Sequence, residues 1–197
     1  MMDGGLRVTA PMSFNKGAIV WFTGLPCSGK TTIGRFLLEK LAAGGFRAEL
    51  LDADLLRASI GRGLGYKKED REENVRRIAF VAGLLAKHDV IVLVAAISPY
   101  RWLRDQLRAV TPGWVEVYVD APLSVCAERD VKGLYLKARL GELPHFTGID
   151  DPYEPPPDPC VVCRTDRETV EESAGRVWEW LRKGKYISVD PRGTYES

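Results

Sequence analysis

Gly24-Leu25-Pro26-Cys27-Ser28-Gly29-Lys30-Thr31 is the stretch that most limits what this chain can fold into. It follows a short apolar run, Ala18-Ile19-Val20-Trp21-Phe22. It precedes a segment in which Ile33, Phe36, Leu37, Leu38 and Leu41 recur at helical spacing. The string fits G-x-x-x-x-G-K-[ST], placed between a strand and a helix. There, glycines let backbone N–H groups curl around phosphate oxygens, and the helix N-terminus adds partial positive charge. Lys30 is expected to reach the β- and γ-phosphates, and the Thr31 hydroxyl to ligate Mg²⁺. The competing reading is a chance match at a glycine-rich strand–helix turn. An Asn-Lys-x-Asp signal for guanine does not follow the loop, which favours ATP as the nucleotide.

The rest of the chain repeats the strand–helix alternation. Ala48-Glu49-Leu50-Leu51 reads as a second strand, Val90 to Ala96 as a third and most apolar one, Val115 to Val119 as a fourth, and Cys160 to Cys163 as a fifth. Helical patterns cover about 69–88, 102–110, 123–129 and 167–182. Alternation of this kind predicts a P-loop α/β fold, a parallel five-stranded sheet with helices on both faces. The Val90–Ala96 strand is expected at its centre. Residues 132–157 differ, being rich in Gly, Pro and aromatics, and read as a lid segment. The expected organisation is a flexible arm over 1–17, a single P-loop domain over 18–183 and a fraying tail over 184–197.

Composition narrows the partners. The chain has 197 residues, and its net charge is +1. Proteins that grip duplex nucleic acid usually carry a clear basic excess, so nucleic acid is not an expected partner. No apolar run reaches the roughly 18 residues that span a bilayer. The start shows no charged-then-apolar secretory pattern, and four cysteines do not make a disulfide framework. The expected setting is the cytoplasm.

The acceptor side is read from strand ends, where doubly wound sheets gather ligands. Asp52-Ala53-Asp54 closes the second strand. Period-two alternation would put both carboxylates on one side, one for Mg²⁺-bound water and one to take a proton from an attacking hydroxyl. A helix cap is the plainer role for either aspartate. Arg71, Asn74 and Arg77 recur every three residues on one helix, and Arg57 could face the same arc. Such a set can hold a polyanion. It can equally be a solvated face paired with Glu72 or Glu73. Ser98, at the end of the third strand, reads as a binding residue, because no base is placed beside it for nucleophilic work. Lys132 in the lid could cover the transferring phosphoryl group. Phe146 could stack on a purine or pack inside the lid. Cys160-x-x-Cys163 has no second pair and reads as coincidental.

Together the segments GLPCSGKTT (24–32), LDADLLR (51–57), DREENVRRIA (70–79), ISPYR (97–101), ERDVKGLY (128–135) and FTGIDDPYEPP (146–156) resemble the adenylyl-sulfate kinase family. The resemblance covers roughly residues 17–165. It implies ATP-dependent phosphorylation of the ribose 3′-hydroxyl of adenosine 5′-phosphosulfate (APS), giving 3′-phosphoadenosine 5′-phosphosulfate and ADP for sulfate assimilation. It implies that Gly24 to Thr32 and Arg129 bind ATP, and that Thr31 and Asp54 serve Mg²⁺. Asp54, Lys30 and Lys132 would be catalytic, with Asp54 as the base. Asp52, Arg57, Arg71, Asn74, Arg77, Ile97, Ser98, Lys132, Gly133 and Leu134 would line the APS site, with Tyr66 and Phe146 sandwiching its adenine. It also implies a homodimer. Ala53, Tyr66, Val131 and Leu136 depart from the family's usual residues, touching affinity and lid stiffness rather than reaction type. The other readings are a kinase for another small hydroxyl acceptor or a nucleoside monophosphate, and a nucleotide-binding regulatory module without turnover.

Overall fold

The computed structural model describes residues 14–188. Its main sheet is parallel and five-stranded, built from β2 (Ala18–Thr23), β3 (Ala48–Asp52), β4 (Ile91–Ala95), β5 (Trp114–Asp120) and β6 (Val161–Arg164), in the order β3-β4-β2-β5-β6. The strand expected at the centre, around Val90–Ala96, is second in that order, and β2 is central instead. Both strands are wholly buried, so apolar content cannot rank them. The crossovers decide.

Burial on two faces explains the unbroken apolar runs. In β2, Ala18, Val20 and Phe22 join one core, against α1 (Lys30–Ala43) and α7 (Val170–Lys183). Ile19 and Trp21 join the other, against α3 (Lys68–Ala86) and α4 (Arg101–Val110). The stripe Val75, Ile78, Ala79 and Ala82 is the buried face of α3. Three short helices complete the unit: α2 (Ala53–Leu56), α5 (Leu123–Glu128) and α6 (Leu134–Arg139).

The described residues begin and end in a small ribbon. β1 (Phe14–Asn15) pairs antiparallel with β7 (Ile187–Ser188). Residues 184–188, expected to fray, therefore include a paired strand. The remainder of the expected arm and tail, 1–13 and 189–197, lies outside the described residues. Among the described residues no helix is long and apolar enough to cross a membrane.

Candidate active site

Parallel strands bring Thr23, Asp52 and Ala95 to one edge of the sheet, and the cleft of about 920 Å³ opens along that edge. The loop Gly24–Thr31 wraps its floor. A side chain at Gly24 would run into the Val119 carbonyl at 2.4 Å, so this position demands glycine. Gly29 turns into α1 at φ 105°, and Cys27 also holds a positive φ of 60°. Helix α1 has no side-chain cap and no acidic residue in its first turn. By contrast Asp52 caps α2, and Thr169 with Glu172 forms a capping box on α7. The first N–H groups of α1 are thus left for an anion.

Lys30 is buried and bent back over the loop. Its Nζ donates to Gly24 O at 2.9 Å and Leu25 O at 2.7 Å. Burial lowers its pKa to about 8, against the opposing pull of Asp54 and, more weakly, Asp52. The Thr31 hydroxyl donates to Asp52 Oδ2 at 2.8 Å. Asp52 Oδ1 accepts the Asp54 N–H at 2.9 Å. This departs from the expected alternation. The strand ends at Asp52 and α2 begins at Ala53, so the two carboxylates are not on one strand face. Asp52, not Asp54, meets Thr31. Asp54 is exposed to the cleft.

Pro26, Cys27, Gly29, Lys30, Thr31 and Thr32 line the cleft at the donor end, together with Arg129. Gly24, Leu25 and Ser28 support the loop from outside that lining. Arg129 is held by Thr165, through Oγ1 at 3.0 Å and the carbonyl at 2.6 Å. Thr165 Oγ1 in turn donates to Ser28 O at 2.8 Å. Thr165 carried no signal as a lone threonine after the last strand, yet it ties Arg129 to the phosphate loop.

At the acceptor end, Asp52, Asp54, Arg57, Tyr66, Arg71 and Ile97 line the cleft, with Lys132, Leu134 and Phe146 from the lid. Arg57 and Arg71 lie over the Tyr66 ring at 4.3 and 5.6 Å. Arg71 also donates to Tyr66 O at 2.8 Å and His145 O at 2.5 Å, binding α3 to the lid. Burial lowers its pKa, with Asp151 opposing, and the guanidinium remains a cation. Phe146 is buried in a lid core, its ring edge-on to Tyr135 with centroids 4.9 Å apart. Lys132 and Val131 are exposed on the turn before α6, and Gly133 caps that helix at φ 65°.

Four expected acceptor residues stand apart from the lining: Gly133, which caps α6, and Asn74, Arg77 and Ser98. Arg77 pairs with Glu73 at 2.7 Å and donates to Ile60 O at 3.0 Å, which is the solvated-face arrangement. Asn74 is buried, and its Oδ1 has no hydrogen-bond partner among the described residues. Ser98 is buried at φ 39°, and its Oγ accepts from Trp21 Nε1 at 2.8 Å and donates to Ala96 O at 3.3 Å. That hydroxyl is committed to the core. Cys163 is also buried, giving its thiol to Ser173 O at 3.6 Å.

A family model described as "Adenylylsulphate kinase" matches residues 16–164. An adenylyl-sulfate kinase of Microcystis aeruginosa is 57% identical over 172 residues, covering 87% of this chain and 95% of the relative. A solved APS kinase of Mycobacterium tuberculosis, in complex with AMPPNP and APS, superposes with a TM-score of 0.82 at 44% identity, covering 85% of this chain and 99% of the other. A hexameric APS kinase from Thiobacillus denitrificans superposes with a TM-score of 0.66 at 30% identity, covering 88% of this chain and 30% of that one. Matched by the family model over most of its length and by a relative at 57% identity, the chain belongs to the adenylylsulphate kinase family.

Proposed function

We propose that this protein moves the γ-phosphoryl group of ATP to the ribose 3′-hydroxyl of APS, giving 3′-phosphoadenosine 5′-phosphosulfate and ADP. The observation that carries it is one cleft with two ends. An uncapped helix start and Lys30 form the donor end, and Arg57, Tyr66, Arg71 and Phe146 form the acceptor end. Asp54 lines the same cleft and is the strongest counter-charge that Lys30 feels.

Catalysis here is positioning and charge stabilisation. Lys30 exchanges its carbonyl partners for phosphate oxygens. Asp54 accepts the proton of the attacking hydroxyl. Arg57 and Arg71 hold the anionic end of APS, and Tyr66 and Phe146 hold its base. Lys132, Gly133 and Leu134 close over the transfer and exclude water. Arg129 lies along the donor base. Ile97 and Ser98 contribute backbone at the strand end, since the Ser98 hydroxyl is occupied. Asn74 and Arg77 support the α2–α3 turn from behind.

A hard cation fits the donor set, because a hydroxyl and a carboxylate oxygen sit 2.8 Å apart at Thr31 and Asp52. Thr31 and Asp52 would hold Mg²⁺, which when bound neutralises charge on the phosphates. Asp54, the partner expected from the sequence, is kept for proton transfer. The catalytic unit is proposed to span 18–183, with the lid over about 132–157. All four cysteines are free thiols, consistent with a reducing cytoplasm. Self-association as a homodimer belongs to the same reading, and light scattering tests it.

The decisive assay supplies ATP, Mg²⁺ and APS and follows ADP and the doubly phosphorylated nucleotide product. Turnover with APS is expected. ADP release only with a different hydroxyl acceptor or a nucleoside monophosphate would reassign the substrate. ATP binding with no turnover on any acceptor would make the protein a regulatory module.

A further inference from the structure

Tyr135 touches both ends of the cleft although it lines neither. It sits on the lid helix α6 and is 2% exposed. Its hydroxyl donates to Pro26 O, in the phosphate loop, at 2.9 Å. Its ring meets Phe146, on the acceptor side, edge to face. Burial pushes the hydroxyl's pKa far above the usual range, so it stays a donor. The core around it is shared in the same way. Leu25 and Cys27 of the phosphate loop pack against the cluster that holds Cys126, Ala138 and Phe146. A side chain on Gly148 of the lid would strike Leu25 Cδ2 at 2.9 Å. Loop and lid are therefore packed against one another, so a change in one is felt by the other.

The donor loop also has a part that must change. An ammonium group has three N–H donors. All three on Lys30 are spent, on Gly24 O, on Leu25 O and, at 3.4 Å, on Ser28 Oγ. Holding a triphosphate takes at least one of them away. The Leu25 carbonyl belongs to the Leu25–Pro26 peptide, and the next carbonyl along is the one Tyr135 grips. Where the bond given up is the one to Leu25 O, the peptide directly behind Tyr135's acceptor changes with it.

We propose that Tyr135 is a positioning residue that couples the two substrate sites. Its hydroxyl senses the state of the phosphate loop, and its ring sets the angle of Phe146 toward the acceptor base. This rests on the assignment of the Phe146 side to APS. Coupling of this kind is reciprocal: a donor that tightens acceptor binding is itself tightened to the same degree.

Calorimetry tests it with APS and a non-hydrolysable ATP analogue, each titrated alone and in the presence of the other. In the wild type the analogue should tighten APS by about fivefold or more, the lower end of ordinary coupling. Tyr135→Phe keeps the edge-to-face packing and removes the hydroxyl, and its coupling factor should fall to near one. Tyr135→Leu, which also removes the ring edge, should show the same loss. A merely structural tyrosine would lower the melting temperature of both variants and leave the factor intact. That outcome overturns the proposal, as does a wild-type factor near one. A wild-type protein that binds the analogue but neither binds nor phosphorylates APS fails the acceptor assignment itself, and Tyr135's role falls with it.

Discussion

The Thr31 hydroxyl donates to the Asp52 carboxylate at 2.8 Å, and the same carboxylate receives the backbone N–H of Asp54 at 2.9 Å. Two aspartates two positions apart are thereby given different work. Asp52 is buried, caps α2 and faces the phosphate loop. Asp54 is pushed out by the first turn of α2 into the open cleft. Asp54→Asn should lower kcat by about 10²–10⁴, the usual worth of positioned proton transfer, with ATP affinity nearly unchanged. Asp52→Asn should instead raise the Mg²⁺ concentration needed for half-maximal turnover. Steady-state kinetics across a Mg²⁺ series separates the two. If Asp54→Asn weakens ATP as much as it slows turnover, Asp54 is a binding residue.

Lys30 gives the site a pH signature. Burial holds its pKa at about 8 in the folded protein, against 10.5 for an ordinary lysine. Between those values the unfolded chain keeps a proton that the folded one has lost. Stability from this group therefore rises with pH across that window. ATP binding runs the other way, because a triphosphate favours the ammonium form. ATP affinity should fall as pH climbs past about 8, and binding just above that pH should take up protons. Titrations in two buffers of different ionisation enthalpy measure the uptake, and Lys30→Met should abolish it. Affinity that stays flat through this range would show that Lys30 remains charged.

Phe146 has two candidate jobs that one substitution cannot separate. It packs on Tyr135 inside the lid and also lines the cleft. Phe146→Ala should weaken APS binding by about 1–3 kcal/mol if the ring stacks on the base. Phe146→Leu retains most of the lid packing but has no flat face. Comparable loss in both variants identifies stacking. APS affinity restored by leucine would return the residue to the lid core.

Local signals made the sheet and the phosphate loop legible. Apolar runs bounded by glycine, and a Gly-x-x-x-x-Gly-Lys-Thr string after the first of them, depend on nearby residues alone. What stayed hidden depends on distant ones. The period-two reading of Asp52 and Asp54 failed because Asp52 caps a helix that begins at the next residue. Arg77 fits the acceptor arc on a helical wheel, but Glu73 one turn away captures it. Ser98 ends a strand at the correct edge, but Trp21, 77 positions earlier, takes its hydroxyl. The Tyr135–Pro26 bond spans 109 positions, and no window along the chain could have suggested it.

Arg104 carries the most sharply testable structural claim. It is 1% exposed and pairs with Glu116 of β5, itself 2% exposed, at 2.8 Å. Its other nitrogens donate to Ser98 O and to Glu154 O, each at 2.6 Å. One guanidinium thus joins the sheet, the positive-φ turn after β4 and the far end of the lid segment. Truncating one member of such a pair strands the other charge in the core. Arg104→Met should therefore cost about 3–5 kcal/mol of stability, read from chemical denaturation. Replacing both, as Arg104→Met with Glu116→Leu, should recover much of that loss, because no buried charge is left behind. The double variant still lacks the donors to Ser98 and Glu154, so its turnover should remain depressed while its stability returns. Recovery of both together would show that Arg104 supports the fold and has no part in holding the strand end against the lid.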